Sequence, residues 1–147
     1  MYRKEILTES LIREFVPRFA PDSELIYARS NKAEGYNIDN ELLNDLDIQL
    51  YPLVKMPDVV LYDAKRDWLL LMECATHKRL MGEDRVGELA RLFSKAKPDL
   101  VYFTAFQNRS EMAGHPGFPA WGTHAWFAEE PEHMIHFNGS RFLDPYA

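Results

Sequence analysis

Residues 57–76 read Pro57-Asp58-Val59-Val60-Leu61-Tyr62-Asp63-Ala64-Lys65-Arg66-Asp67-Trp68-Leu69-Leu70-Leu71-Met72-Glu73-Cys74-Ala75-Thr76. Two apolar runs, rich in β-branched and aromatic residues, stand on either side of a short charged segment, a pattern typical of a β-hairpin. If Tyr62 pairs with Leu69, the same register pairs Asp58 with Glu73. Directly opposed residues of an antiparallel pair share one face of the sheet, so the hairpin is expected to bring two carboxylates together.

These two carboxylates need a counter-charge. The Cβ atoms of directly opposed residues are about 4.5–5.5 Å apart, so the two negative charges repel each other. Burying either charge without a partner is also unfavourable. A divalent cation between Asp58 and Glu73 removes both penalties, and Mg²⁺ is usually held by one or two carboxylates together with substrate phosphates. The hairpin is therefore a candidate Mg²⁺ site; the alternative is two solvated acids at strand ends.

Cationic residues follow Glu73 closely. A lysine or arginine beside a metal site stabilises the negative charge that builds on a phosphate group in a transition state. A lysine two residues after Glu73 would point to the same side of the strand, but Ala75 occupies that position. The candidates for this role are Lys78, the nearest in sequence, Arg79 and Arg85. The alternative is an ordinary solvated loop.

The whole chain sets further limits. Its 147 residues are the size of one domain, and the 46% hydrophobic composition is that of a globular protein. No apolar run approaches the about 20 residues of a membrane span, and the start of the chain does not resemble a signal peptide. The single cysteine, Cys74, excludes an internal disulfide and fits a cytoplasmic protein. The net charge of −6 argues against a generally basic, nonspecific DNA binder but leaves room for a local basic patch.

Apolar spacing predicts the remaining elements and an α/β or α+β domain with a mixed β-sheet. The third predicted helix has an apolar stripe that includes Leu89 and Phe93, with Arg85 outside it. The second is expected to begin at a cap on Asn40. Helices are predicted at 3–19, 40–46 and 84–96, strands at 23–28, 100–106, 121–128 and 133–137, a loop at 29–35, and a segment that is mostly loop at 107–119.

The histidines and aromatic residues receive mainly structural interpretations. His133 and His136 would face opposite sides of a strand and the chain has no HExxH spacing, so a zinc site is not expected. His77, beside the acidic pair, is a candidate proton carrier. Four aromatic residues are expected in the sheet core, with stacking on nucleobases as the alternative: Trp121, Trp126, Phe127 and Phe137.

Longer blocks of sequence carry a family resemblance. They are Met56-Pro57-Asp58-Val59-Val60-Leu61-Tyr62-Asp63, Arg66-Asp67-Trp68-Leu69, Val101-Tyr102-Phe103-Thr104-Ala105-Phe106, Trp126-Phe127-Ala128 and His133-Met134-Ile135-His136-Phe137-Asn138-Gly139. Together with Glu73 and Thr76, these blocks resemble the BsuBI/PstI family of type II restriction endonucleases. The resemblance covers most of the chain in order.

The resemblance implies a PD-(D/E)XK nuclease-like fold, a mixed β-sheet flanked by helices. It also implies a Mg²⁺-dependent endonuclease that hydrolyses double-stranded DNA in restriction–modification and phage defence. In that case Asp58 and Glu73 are the catalytic, metal-binding acids. Lys78 is then the catalytic cation, with Arg79 as its alternative, and the candidate DNA contacts are His77, Lys78, Arg79 and Arg85.

Two features depart from the family pattern. The family has a Ser-His-Gly-Pro-like run after the catalytic strand, where this chain has His77-Lys78-Arg79-Leu80. Residues 1–147 are also expected to form a single catalytic domain without the N-terminal helical region of the family enzymes. With Ala75 at the lysine position, the second interpretation is a nuclease-fold domain that binds DNA or a protein partner but cleaves poorly. A homodimer, or a separate recognition subunit, is the expected assembly.

Overall fold

A computed structural model describes residues 2–29, 37–48, 55–76 and 79–138. Its centre is a seven-stranded mixed sheet in the order β2-β1-β3-β4-β5-β6-β7. This architecture confirms the predicted fold class. The strands are β1 (Glu24–Ala28), β2 (Asn37–Ile38), β3 (Val59–Asp63), β4 (Trp68–Cys74), β5 (Asp99–Phe106), β6 (His124–Phe127) and β7 (Met134–His136).

The predicted hairpin is present with the predicted register. Strands β3 and β4 pair antiparallel, and Tyr62 lies opposite Leu69. At the other end of the ladder Val59 lies opposite Met72, so one further step places Asp58 opposite Glu73. The strands carry buried residues on both faces, which explains why their sequences are almost continuously apolar.

Parallel pairing follows on the far side of β4. Strand β4 pairs in parallel with β5, and β5 pairs in parallel with β6, so each connection must cross over one face of the sheet. Two helices make these crossings. They are α4 (Glu83–Leu92), between β4 and β5, and α5 (Arg109–Gly114), between β5 and β6.

Helices cover both faces of the sheet and divide the core into layers. One face of β3 and β4 packs against the N-terminal helical segment, through Leu7, Leu11 and Phe15. The opposite face packs against α3 (Asn40–Asp45) and α4, through residues such as Leu43 and Leu89. The acidic pair lies on this second face, because strand residues two apart point the same way.

The N-terminal helix is predicted correctly but contains an irregularity. It consists of α1 (Tyr2–Ser10), a π turn (Leu11–Phe15) and α2 (Val16–Phe19). The backbone N–H of Val16 donates to the carbonyl of Leu11, the i→i+5 hydrogen bond that defines a π turn. Pro17 does not end the helix, because the first turn of α2 tolerates a residue without an N–H.

Two helix boundaries differ from the predictions. Asn40 is not the cap of α3; the side chain of Asp39 accepts the hydrogen bond from the backbone N–H of Leu42, at 3.1 Å. Helix α4 ends at Leu92, four residues before the predicted end at Ala96, and β5 begins at Asp99.

The segment between β5 and β6 departs most from prediction. Residues 107–119 are mostly loop, as predicted, but they also contain α5, which Asn108 caps by accepting from the N–H of Glu111 at 2.9 Å. Trp121 is not in the sheet core: its side chain is 73% exposed, whereas Trp126 is fully buried. The predicted loop at 29–35 falls largely outside the described residues. No helix of the described part is long and apolar enough to cross a membrane.

Candidate active site

The acidic pair lies at one end of the hairpin and is buried. Asp58 immediately precedes β3, Glu73 is the penultimate residue of β4, and each is 1% exposed. Asp58 Oδ2 accepts a hydrogen bond from the backbone N–H of Cys74 at 2.9 Å. This contact ties the first acid to the strand that carries the second. Solvation at strand ends, the alternative considered from sequence, is therefore wrong for this pair.

Arg29, which follows β1, fixes the position of Asp58. Its backbone N–H donates to the carbonyl of Asp58 at 2.8 Å, and its Nη1 lies 3.9 Å from Asp58 Oδ1. Its Nη2 donates to the carbonyl of Met56 at 3.1 Å. Burial lowers the pKa of Arg29, but its hydrogen bond with Tyr27 and the charge of Asp58 outweigh this and raise the pKa. Arg29 is thus a permanent counter-charge for Asp58.

Arg85 of α4 performs the corresponding task for Glu73. Its Nε and Nη2 lie 3.3 Å from Glu73 Oε2 and Oε1, respectively. Nη2 also donates to the carbonyl of Met56 at 3.2 Å, and Nη1 contacts Glu88 at 2.5 Å. Although Arg85 was expected outside the apolar stripe of α4, it is only 8% exposed, because it faces the acid and not the solvent.

Arg79 is the more accessible cation of the site. Its Nε lies 3.7 Å from Glu73 Oε2, and its side chain is 40% exposed. Residues 77 and 78 lie outside the described residues, so the structure does not address the predicted roles of His77 and Lys78. Ala75, two residues after Glu73, is buried, and its N–H donates to the carbonyl of Ala105 at 2.8 Å. The structure therefore has no cation at the position from which a lysine would point to the same side as Glu73.

Glu73 has a raised pKa. The chief cause is burial, and the nearby charge of Asp58 acts in the same direction. Arg85 and Arg79 lower the pKa but do not reverse the net shift. The carboxyl is therefore more easily protonated in the folded protein than an ordinary glutamate.

This shift predicts a pH-dependent contribution to stability. Between about pH 4.3, the ordinary glutamate value, and the raised pKa, the folded state binds more protons than the unfolded state. The stabilisation is complete below this interval and disappears as pH rises through the folded pKa, with a slope of up to about 1.4 kcal/mol per pH unit. In metal-free buffer, we expect Glu73→Gln to gain stability relative to the wild type as pH rises.

Urea denaturation of both proteins across this pH range measures the difference. Comparing the two proteins removes the contributions of other carboxylates, which are common to both. A difference in free energy of unfolding that stays constant with pH would contradict the raised pKa of Glu73.

An open cleft of about 1410 Å³ gives access to the site. Glu73 and Arg79 contribute to one wall, the first half of α4 forms another, and residues 115–121 form the rim. The ionisable side chains that line it include the acids Glu73, Glu83, Asp84 and Glu88 and the arginines Arg79, Arg85 and Arg91. These four carboxylates outnumber the three guanidinium groups, so the cleft carries an excess of negative charge. Binding of a phosphate group is therefore unfavourable unless a further cation also binds in the cleft.

The acids fit a hard divalent cation. Glu73 Oε2 is buried and accepts no hydrogen bond from the described residues, although the charges of Arg79 and Arg85 lie near it. Carboxylate oxygens are the ligands that Mg²⁺ prefers. Within the described ranges, no three or more His, Cys, Asp or Glu side chains are grouped to hold a metal. A cation here would therefore take two protein carboxylates and complete its ligands from elsewhere.

Three of the described histidines, His124, His133 and His136, have partners outside the acidic pair. His136 Nδ1 lies 2.7 Å from His124 Nδ1 on the neighbouring strand. Burial, and then the charge of His136, lower the pKa of His124. His133 Nδ1 instead lies 2.8 Å from Arg109 Nη2, which donates to it. His133 and His136 thus have separate partners.

Sequence reasoning missed Arg29 and the aromatic rim of the cleft. Arg29 looked like the start of a polar loop, yet it follows a strand that pairs with β3. A cation at the end of one strand, beside an acid at the start of its neighbour, was the available signal. Trp121 and Phe118 gave no such signal, because their exposure depends on the tertiary placement of residues 115–121.

Among solved structures, the fold is similar to that of the SdaI restriction endonuclease. The two structures superpose with a TM-score of 0.84 at 37% sequence identity, over 97% of this chain and 45% of the other. The sheet, its flanking helices and the buried acidic pair thus define a restriction endonuclease-like domain.

Sequence comparisons identify the family. The chain is 44% identical to the type II restriction enzyme BsuBI of Bacillus subtilis over 95% of its length, and 31% identical to AplI of Arthrospira platensis over 94%. It spans 44% of the length of each relative. The BsuBI/PstI restriction endonuclease domain model matches residues 3–140, and the chain belongs to this family. The resemblance noted in the sequence is confirmed.

Proposed function

We propose that residues 1–147 form one catalytic domain that hydrolyses phosphodiester bonds of double-stranded DNA with the help of Mg²⁺. Family membership supports the reaction class, since the similar proteins are type II restriction enzymes. The observation that carries the proposal is the pair Asp58 and Glu73. The two buried carboxylates occupy opposed strand positions, and Glu73 Oε2 accepts no hydrogen bond from the described residues. Glu73 also lines a cleft in which carboxylates outnumber guanidinium groups, so a cation bound there would offset the excess negative charge.

Asp58 and Glu73 would hold the cation. When bound there, Mg²⁺ would neutralise the negative charge that accumulates on the phosphate and provide an activated water at neutral pH. The protein contributes a fixed geometry. The N–H of Cys74 and the guanidinium of Arg29 orient Asp58, and Arg85 orients Glu73 while neutralising part of its charge.

Arg79 is the residue of the described part that we assign to the phosphate. It is half-exposed in the cleft and close to Glu73, so its guanidinium can reach a bound phosphate without leaving the acid. Lys78, its neighbour in sequence, remains the second candidate for the catalytic cation. Arg85 is too buried to leave Glu73 and is a positioning residue, not a DNA contact.

Plasmid cleavage tests the proposal directly. Supercoiled plasmids that contain many different sequences are incubated with the chain in Mg²⁺ or in EDTA. Nicked or linear product in Mg²⁺, and none in EDTA, is expected. Product formation that does not depend on the metal would contradict the proposal.

One observation favours a second candidate, a nuclease-fold domain that binds DNA without cutting it. Ala75 occupies the position two residues after Glu73 where the general PD-(D/E)XK pattern has lysine, and Arg85 already pairs with Glu73. A site without a free lysine or arginine side chain for the phosphate would still bind the metal and the DNA. It would stabilise the transition state poorly. Retention of DNA in a mobility-shift assay with no cleavage in Mg²⁺ would support this candidate.

We further propose that the chain cuts both strands as a two-fold symmetric homodimer, one site per strand. The regions that we consider for the interface are residues 84–96 and 107–119, and parts of both line the cleft. Light scattering with and without DNA is expected to show twice the mass of the chain in at least one condition. A monomer in both would contradict the homodimer and favour a separate recognition subunit.

A further inference from the structure

Two aromatic side chains project from the rim of the cleft. Phe118 is 86% exposed and Trp121 is 73% exposed, which makes them the most exposed large hydrophobic residues of the described part. Both line the same cleft as Glu73 and Arg79. Because burying a phenylalanine stabilises a protein by about 1.5–3 kcal/mol, two exposed rings in one short segment call for a partner.

The segment that carries these rings is tightly anchored. His115 Nε2 forms a 2.7 Å hydrogen bond with the carbonyl of Thr76, three residues after Glu73. The N–H of Ala120 donates to the carbonyl of Met81 at 2.9 Å. The Oγ1 of Thr123 then donates to the carbonyl of Ala120 at 2.7 Å. These bonds fix the backbone on both sides of Phe118 relative to the strand end that bears Glu73.

The chemistry of the surroundings indicates what the rings contact. A planar apolar ring stacks on a nucleobase of any kind, because every base presents a π face. The guanidinium of Arg79, in the same cleft, is suited to the phosphate of the same nucleotide.

We infer that Phe118 and Trp121 stack on nucleobases of the DNA next to the phosphate that occupies the cleft. The inference rests on the proposed function and assigns the residues that contact the bases. Stacking requires that the bases be partly separated from their neighbours, so the rings act as a wedge that opens the duplex beside the acidic pair. Because the segment is anchored, it is already arranged for this contact before DNA arrives.

Tryptophan fluorescence tests the inference without relying on cleavage. The chain has three tryptophans, of which Trp126 is fully buried and Trp68 is 37% exposed. Short duplexes of random sequence are added in Ca²⁺ in place of Mg²⁺, and a gel verifies that the DNA stays intact. We expect the DNA to quench the emission of Trp121, and we expect Trp121→Leu to lose this quenching.

Affinity measured by fluorescence anisotropy of labelled DNA gives the second readout. Trp121→Leu keeps an apolar side chain but removes the ring, and it is expected to weaken binding by about 5- to 100-fold. Phe118→Leu is expected to act in the same direction. Trp121→Phe, which keeps a ring, should restore most of the affinity.

Trp68→Leu is the matched control. Trp68 begins β4 and Glu73 lies near its end, about 17 Å away at the usual rise per strand residue. We expect this variant to bind DNA within about two-fold of the wild type and to keep the quenching. Thermal melts check that all variants fold.

The outcomes separate the inference from the proposed function. The inference is overturned if the wild type binds DNA without quenching, or if Trp121→Leu binds DNA with the same affinity as the wild type. The nuclease proposal still stands in either case if the wild type cuts the plasmid. Quenching without cleavage supports the inference and overturns the nuclease proposal. Failure of the wild type to bind DNA overturns the inference. The inference is also overturned if Trp121→Leu loses the oligomeric state of the wild type but keeps its affinity for DNA.

Discussion

Asp58→Asn is expected to lower the rate of plasmid cleavage in Mg²⁺ by about 100-fold or more. Asparagine has nearly the same shape and can still accept the hydrogen bond from the N–H of Cys74, so the fold should survive. The negative charge is lost, and with it one of the two proposed ligands of the cation. Cleavage rates of the two proteins, measured on the same plasmid at saturating enzyme, give the effect.

Asp63→Asn provides the matched control for that experiment. Asp63, the last residue of β3, is also a buried aspartate of the hairpin, 3% exposed and paired with Arg66 at 2.6 Å. It lies at the far end of β3, about 17 Å from Asp58 along the strand. We expect a lower melting temperature but an unchanged cleavage rate per folded molecule. Equal cleavage by wild type and Asp58→Asn would mean that the hairpin acids are not the catalytic centre.

The second large effect is thermal stabilisation of the protein by Mg²⁺ and its loss in Glu73→Gln. A cation that binds the folded state and not the unfolded chain stabilises it by about 2.7 kcal/mol at one hundred times its dissociation constant. For a chain of this size the melting temperature should rise by roughly 8 °C. Glu73→Gln removes one ligand charge and should lose most of this rise.

The same variant should not weaken the metal-free protein near neutral pH. Its amide can still accept from Arg85 Nη2, and neutralising one acid relieves repulsion with Asp58. Glu83→Gln is the control, because Glu83 lines the same cleft but is exposed at the start of α4. Melts are recorded at fixed ionic strength. If wild type and Glu73→Gln respond to Mg²⁺ alike, the hairpin is structural and not a metal site.

The hairpin could be predicted because its register is determined locally. A one-residue slip would move every side chain of β4 to the other face, so the short turn and the apolar runs leave a single pairing of Tyr62 with Leu69. That register alone predicts that Asp58 and Glu73 are opposed. The family resemblance then supplied the chemistry that two opposed acids could only suggest.

The environment of the pair could not be predicted, because it depends on tertiary packing. Helical periodicity places Arg85 outside an apolar stripe, but it cannot show that an ion pair buries the residue. Asp39 and Asn40 are both good caps, and only the backbone decides that Asp39 is used. Trp121 was expected in the core as the first residue of the strand predicted at 121–128, whereas β6 begins only at His124.

The π turn in the N-terminal helix has a consequence for the alignment of that helix with the sheet. In a regular α-helix, each step of four residues turns by about 40° beyond a full revolution, so Leu7, Leu11 and Phe15 would spiral off one face. A π turn takes more residues per revolution and removes part of this drift. All three side chains are at most 1% exposed and pack in one core layer. The π turn therefore keeps Leu7, Leu11 and Phe15 on the face of the helix that packs against the sheet. Long paired helices keep such a face aligned by supercoiling instead.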